Sequence, residues 1–283
     1  ELDTIKTLRI LVTSYCNLHC THCYQHYLKN SSCLSREQLF EIADFANCHQ
    51  VETLILSGGE FFSHPDAYDF LRYCSNMPYD ILIATNGSCI DLKFFEDVKF
   101  EGRLSFQLSI DGMRQAHDRR RGSGSFDKAV SNGSALSKMG ISVSISMAIG
   151  EDNYTDVLDV INLSFADEVK LLPVANSGAA DSKIGGASCG SYEEAMTTIL
   201  KREISSAPPS SELFPHELAI SFDGNVYPSM VAQDMGVLCV GNINEKSLDT
   251  ITDEIHNLNP YGIMDFRAAP TPACDNCDVA SIC

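Results

Sequence analysis

Six apolar, strand-like runs alternate with five helix-like segments through the first 174 residues, and that order leaves few folds open. The candidate strands are 7–13, 53–57, 81–85, 104–110, 141–149 and 168–174. The candidate helices are 36–47, 66–76, 91–98, 126–139 and 154–165. Parallel strands need a crossover between them, so strict β/α alternation predicts a parallel sheet with helices packed on it. Eight such units close a barrel; six predict a partial, TIM-like (β/α)6 barrel of the α/β class. Helix boundaries are marked too. Ser35 with Gln38 forms a capping-box start, Ser125 is placed to cap the fourth helix, and Gly140 suits its C-terminus.

Three cysteines follow the first strand. Cys16, Cys20 and Cys23 stand in Thr13-Ser14-Tyr15-Cys16-Asn17-Leu18-His19-Cys20-Thr21-His22-Cys23-Tyr24. A C-x3-C-x2-C loop can wrap one face of a 4Fe–4S cubane, which normally takes four cysteines. Three local thiolates leave one iron open to a substrate or cofactor, which points to catalysis. The alternatives are a zinc site, with His19 or His22 completing a tetrahedral set, and a reduced structural cluster of thiols.

The segment Cys-Asn-Leu-His-Cys-Thr-His-Cys-Tyr resembles the signature of the radical S-adenosylmethionine (SAM) enzymes, in particular the branch with a SPASM or twitch extension. The resemblance implies that SAM chelates the open iron through its amino and carboxylate groups. It also implies that an electron from the reduced cluster breaks a C–S bond, leaving methionine and a 5′-deoxyadenosyl radical that takes a hydrogen atom from a substrate. Further matches fall in family order along the chain. Ser57-Gly58-Gly59-Glu60 resembles the GGE motif, whose backbone contacts the SAM amino group, and glycine lets a backbone approach a ligand closely. Thr85-Asn86-Gly87 resembles TNG, and Ser109-Ile110-Asp111-Gly112 follows the fourth strand. His117-Asp118-Arg119-Arg120-Arg121-Gly122 resembles H-D-x-x-R-G and makes Arg121 the match for the arginine near the SAM carboxylate, a geometry that suits guanidinium. Asn153 stands where a ribose or methionine contact is often found. The cofactor-binding set implied is thus Tyr24, Gly58, Gly59, Glu60, Asn86, Ser109, Arg121 and Asn153. Read without the family, each short match is a turn or a solvated charge run; four of the five sit at strand ends. Phe61 departs from the family's usual proline after GGE.

The C-terminal third carries a second set of signals. Residues 175–190 are small and glycine-rich, and read equally as a substrate-side loop or a flexible connector. Ser191 with Glu194 opens a helix to about residue 207. Ile220 to Pro228 is a hairpin built on Asp223-Gly224. With Val240-Gly241-Asn242-Ile243 and a helix over 247–258, it resembles the opening of a SPASM or twitch region. Cys274, Cys277 and Cys283 match part of the SPASM cysteine pattern and imply one auxiliary 4Fe–4S cluster, with Cys239 as fourth ligand and Cys189 in reserve. Ser229 stands where the family has a cysteine. A four-cysteine zinc knuckle is the alternative. The expected division is a radical SAM partial barrel over 1–190 and a small cysteine-rich auxiliary-cluster domain over 191–283. Cys33, Cys48, Cys74 and Cys89 are scattered and read as small core residues.

Composition bounds the partners. Twelve cysteines in 283 residues of this kind point to metal or cluster chemistry rather than disulfides. A net charge of −18 argues against nucleic acid. No run of about 18 apolar residues suggests a membrane span, and no secretion signal is evident, so the expected location is cytoplasmic. The resemblance implies a low-potential electron donor and favours a ribosomally made peptide as substrate, modified by crosslinking, thioether formation or epimerisation. With the first strand near residue 7, leader recognition is expected to fall to a separate protein or to the barrel itself. Oxidation of a small molecule and sulfatase-type maturation remain alternatives, as does a non-catalytic iron–sulfur or zinc-binding protein.

Overall fold

The computed structural model describes residues 5–23, 32–173, 216–236 and 238–257. Among the described residues nine strands make one sheet: β1 (Thr7–Leu11), β2 (Thr53–Ser57), β3 (Asp80–Thr85), β4 (Leu104–Ser109), β5 (Ser142–Ile149), β6 (Glu168–Pro173), β7 (Glu217–Ile220), β8 (Asn225–Tyr227) and β9 (Gly241–Asn242). Their spatial order is β6-β5-β4-β3-β2-β1-β7-β8-β9. From β6 to β7 every pairing is parallel; β8 and β9 then run antiparallel. The helices are α1 (Arg36–Cys48), α2 (Ala67–Cys74), α3 (Leu92–Asp97), α4 (Arg114–Arg121), α5 (Ser125–Lys138), α6 (Val157–Ile161), α7 (Met230–Met235) and α8 (Leu248–Asn257). No helix among the described residues is long and apolar enough to cross a membrane.

The two faces of the sheet differ because strand side chains alternate with period two. Leu8, Ile10, Leu54, Leu56, Ile81, Ile83, Phe106, Leu108, Val143, Ile145 and Met147 are almost wholly buried, in one cluster with Leu39, Ile42, Phe70, Leu71 and Leu136 of the helices. The alternate positions are mostly half-buried and include the polar Ser57, Ser105, Gln107, Ser109, Ser144 and Ser146 beside the apolar Ile55 and Leu82.

The six expected strands and the helices between them are present. The capping box forms as read: Gln38 N–H donates to Ser35 Oγ at 3.2 Å, and Ser35 N–H to Gln38 Oε1 at 2.8 Å. The start of α5 differs from expectation. Ser125 is its first residue and turns its hydroxyl back to Gly122 O at 2.6 Å. The cap comes from α4: Asp118 accepts from Gly124 N–H (2.8 Å) and Phe126 N–H (3.0 Å). Gly140 ends the helix at φ 80°, a conformation glycine adopts without penalty.

The hairpin forms where expected, with Gly224 at φ 85°. It is joined to the barrel sheet, because β7 pairs with β1 in parallel from Thr7↔Glu217 to Ile10↔Ile220. Ser229, in place of a cysteine, caps α7 by accepting from Ala232 N–H at 3.1 Å. The expected helix near 191–207 and the loop 175–190 lie outside the described residues.

Candidate active site

The cysteine loop leaves the end of β1, the strand between β2 and β7. Its path is set by backbone hydrogen bonds on two sides. Gly59 N–H donates to Thr13 O (2.7 Å) and Glu60 N–H to Tyr15 O (2.8 Å); on the other side Thr21 N–H donates to Arg120 O (2.9 Å). A Cβ on Gly59 would lie 2.4 Å from Tyr15 O, and one on Gly58 2.5 Å from Thr13 O. The two glycines therefore let the cysteine loop lie directly on the Gly-Gly-Glu turn. Phe61 follows as a buried residue opening a 3-10 turn, edge-on to Phe62.

Cys16, Cys20 and Cys23 are half-buried and unbridged. Burial pushes the Cys16 thiol up to about 11 against the Leu18 amide, and Glu60, Cys20 and Cys23 add to the rise. Burial also raises Cys20, with Arg121 opposing it. Leu18 N–H reaches Cys16 Sγ at 3.5 Å, and Asn86 Nδ2 approaches it at 4.0 Å. Three thiols with amide hydrogens turned to a sulfur form a donor set that fits an iron–sulfur cluster. His22, weighed from sequence as a zinc ligand, engages Asp111 through Nε2.

Asn86 belongs to a ring of side chains. Its Nδ2 donates to Asn17 Oδ1 (2.9 Å), Asn17 Nδ2 donates to Ser88 Oγ (2.8 Å), and Ser88 Oγ returns a hydrogen bond to Asn86 Oδ1 (2.5 Å). Beneath it Glu60 is buried, accepting from Thr85 Oγ1 (2.6 Å), Phe62 N–H (3.2 Å) and Asn86 N–H (2.8 Å). Burial raises its carboxyl and these donors oppose the rise. The Glu60 side chain thus braces the turn that presents Asn86.

Across the strand ends, Arg121 donates from Nε to Asp111 Oδ2 at 2.5 Å. His22 Nε2 meets the same oxygen at 3.2 Å, and Ala148 N–H donates to Oδ1 at 2.9 Å. Burial alone would raise Asp111; Arg121 and His22 outweigh it and hold the carboxyl at about 2. Burial holds the His22 imidazole down at about 4, against the pull of Asp111. Asn153 is buried with its amide fully engaged: Nδ2 bonds Asp111 O and Ala148 O, and Oδ1 accepts from Gly150 N–H. Ser109 is half-buried at the end of β4, with its backbone registered on Ser146. Arg120, read as part of a solvated run, is 1% exposed; it pairs with Asp152 and donates to Ala148 O at 2.5 Å.

Of the residues singled out from sequence, the structure brings Cys16, Cys20, Cys23, Glu60, Asn86 and Arg121 into this region. Tyr24, Cys274, Cys277 and Cys283, with the reserve Cys189, lie outside the described residues. Cys239 is exposed, its Sγ 3.3 Å from Gly241 O. The sequence reading gave no role to Asp111, Asn17 or Ser88. The signal for Asp111 was present: an acidic residue at a strand end, ten residues before an arginine the family pattern calls for.

Comparison with known proteins agrees with this geometry. The profile described as "Radical SAM superfamily" matches residues 10–164, more than half of the chain. The SPASM profile, an iron-sulfur cluster-binding domain, matches residues 215–278. The antilisterial bacteriocin subtilosin biosynthesis protein AlbA of Bacillus subtilis (strain 168) is 31% identical over 153 residues, 53% of this chain and 34% of that protein. The Fe-coproporphyrin III synthase of Methanosarcina barkeri is 28% identical over 155 residues, 54% of this chain and 39% of that one. The chain thus matches well under half the length of these relatives. Streptococcus suis SuiB bound to precursor peptide SuiA superposes with a TM-score of 0.75 at 16% identity, covering 99% of this chain and 71% of that one; this shows a shared fold. The first profile implies a 4Fe–4S cluster with SAM, and the second implies auxiliary iron–sulfur clusters. With its cysteine loop docked on a Gly-Gly-Glu turn at the ends of parallel strands, the chain belongs to the radical SAM superfamily.

Proposed function

We propose that this chain cleaves SAM reductively at a cluster held by Cys16, Cys20 and Cys23 and modifies a ribosomally made peptide by hydrogen-atom abstraction. When bound, the cluster and SAM supply a 5′-deoxyadenosyl radical able to take a hydrogen atom from an unactivated carbon. The carrying observation is the three-thiol loop at the end of β1, docked on the Gly-Gly-Glu turn on one side and on Arg120 O on the other. The protein's part is to present the thiols, to supply amide hydrogens at Cys16, and to offer the Arg121 cation to the SAM carboxylate.

Peptide chemistry is favoured by the likeness to AlbA, named for bacteriocin biosynthesis, and to SuiB, captured with a precursor peptide. The likeness to Fe-coproporphyrin III synthase favours a second reading, a small-molecule substrate. A low-potential electron donor and a separate leader-binding protein belong to the peptide reading, as does one auxiliary cluster on Cys239, Cys274, Cys277 and Cys283. The test is anaerobic reconstitution with iron and sulfide, followed by assay of 5′-deoxyadenosine from SAM and dithionite. Product is expected from the native chain and not from the variant with Cys16, Cys20 and Cys23 all replaced by alanine. Product from that variant overturns the assignment. Deuterium transfer into 5′-deoxyadenosine from deuterated peptides, but not from deuterated porphyrins, decides between the substrates.

A further inference from the structure

Asp111 is fully buried, where a carboxylate is costly unless its oxygens are matched by donors. Two elements supply them, α4 through Arg121 Nε (2.5 Å) and β5 through Ala148 N–H (2.9 Å), and His22 Nε2 of the cysteine loop lies 3.2 Å from Oδ2. Its backbone is also fixed, with N–H donating to His117 Nδ1 (3.2 Å) and O accepting from Asn153 Nδ2 (2.9 Å). Arg121 Nη2 meets His22 Nε2 at 3.4 Å, which occupies at most one of its two hydrogens. Among the described residues Arg121 Nη1 has no partner. The guanidinium is therefore anchored by Nε, and Nη1 with the second hydrogen of Nη2 leaves one edge open. That edge has the two-donor geometry that grips a carboxylate.

We propose that Asp111 is a positioning residue of the SAM site: its Oδ2 holds Arg121 by Nε, with His22 of the cysteine loop against the same pair, fixing the carboxylate-gripping edge of Arg121 relative to the loop that carries Cys20 and Cys23. This rests on the reading that SAM binds here, and adds to it the residue that sets the distance between cation and cluster. Asp111 acts through Arg121 and touches no cofactor atom itself. A structural role alone would lower stability or iron uptake without making the effect on SAM depend on Arg121.

The test is a double-mutant cycle on the reconstituted full chain, with D111N, R121Q and the double variant. Iron per chain is measured first, then SAM affinity by equilibrium dialysis with the cluster oxidised, so that no turnover enters. D111N is expected to keep its iron and to bind SAM about tenfold more weakly, as for loss of a charged hydrogen bond. In the R121Q background the same change is expected to matter little, because its target is gone. Should D111N not take up iron, D111E keeps the charge but moves the pivot by one methylene, and is expected to load iron and still bind SAM more weakly. Unchanged SAM affinity in the loaded variant, or independent effects that multiply in the double variant, overturns the proposal. Failure of both D111N and D111E to hold iron also overturns it, since Asp111 would then be a structural keystone. A native chain that holds iron but does not bind SAM overturns the functional reading and this proposal with it; normal native binding beside an unaffected D111N removes this proposal alone.

Discussion

Asn86 has two amide hydrogens, and the ring with Asn17 and Ser88 takes one of them. The other is left on the side of Cys16 Sγ, 4.0 Å away. Hydrogen bonds to cluster sulfurs raise reduction potentials, so Asn86→Leu should make the SAM-site cluster harder to reduce. An electron paramagnetic resonance redox titration checks this; a potential equal to or above that of the native chain would count against the ring as a tuning device. His117 gives a prediction in pH. It is buried, its Nδ1 accepts from Asp111 N–H, and burial with Arg121 nearby holds its imidazole down at about 4. Between the ordinary histidine value near 6.5 and about 4, the unfolded chain binds a proton that the folded chain refuses. Folding stability should therefore fall as pH drops through that window, by up to about 1.4 kcal/mol per pH unit from this residue. Urea unfolding at stepped pH should show a shallower acid limb for His117→Gln, and an unchanged limb would remove His117 as its source.

At the scale of elements, the contact between the Gly-Gly-Glu turn and the cysteine loop governs the site. Gly59→Ala puts a methyl 2.4 Å from Tyr15 O, so backbone must move. The expected result is a chain that keeps its circular dichroism spectrum but takes up less iron at the SAM site; normal iron loading would show that the loop has slack. The sequence pattern suggested a ligand for these glycines, and their tightest neighbours prove to be the protein's own backbone. The capping of α1 was legible because Ser35 and Gln38 are close in sequence and form a local motif. The capping of α5 was not, because its acceptor, Asp118, belongs to α4, a helix of eight residues with no apolar periodicity to announce it. Arg120 misled for the same reason: within a run of three arginines nothing local shows which one turns inward to Asp152.

For the whole molecule, period-two burial made six parallel strands readable, and the ordered motifs marked the strand ends at which the candidate site lies. The partnership of β7 with β1 was not legible, since nothing within either strand names a neighbour some two hundred residues away. The two-cluster reading predicts about eight irons per reconstituted chain and about four after alanine replacement of Cys16, Cys20 and Cys23. Iron analysis with zinc measured alongside checks it, and zinc in place of the second set of irons would defeat it. The position of β1 carries a further consequence, for the order of assembly. It is an inner strand, yet one of its neighbours, β2, follows within about 45 residues while the other, β7, is synthesised far later. Closing so long a loop is entropically slow, and contacts distant in sequence form late. The strand that leads into the cysteine loop should therefore pass through a stage in which one edge is paired and the other bare. Such an edge invites mispairing in a nascent chain. In pulse-labelled hydrogen exchange during refolding, amides of β1 bonded to β2 should gain protection before those bonded to β7. Simultaneous protection would mean that the two edges close in one step.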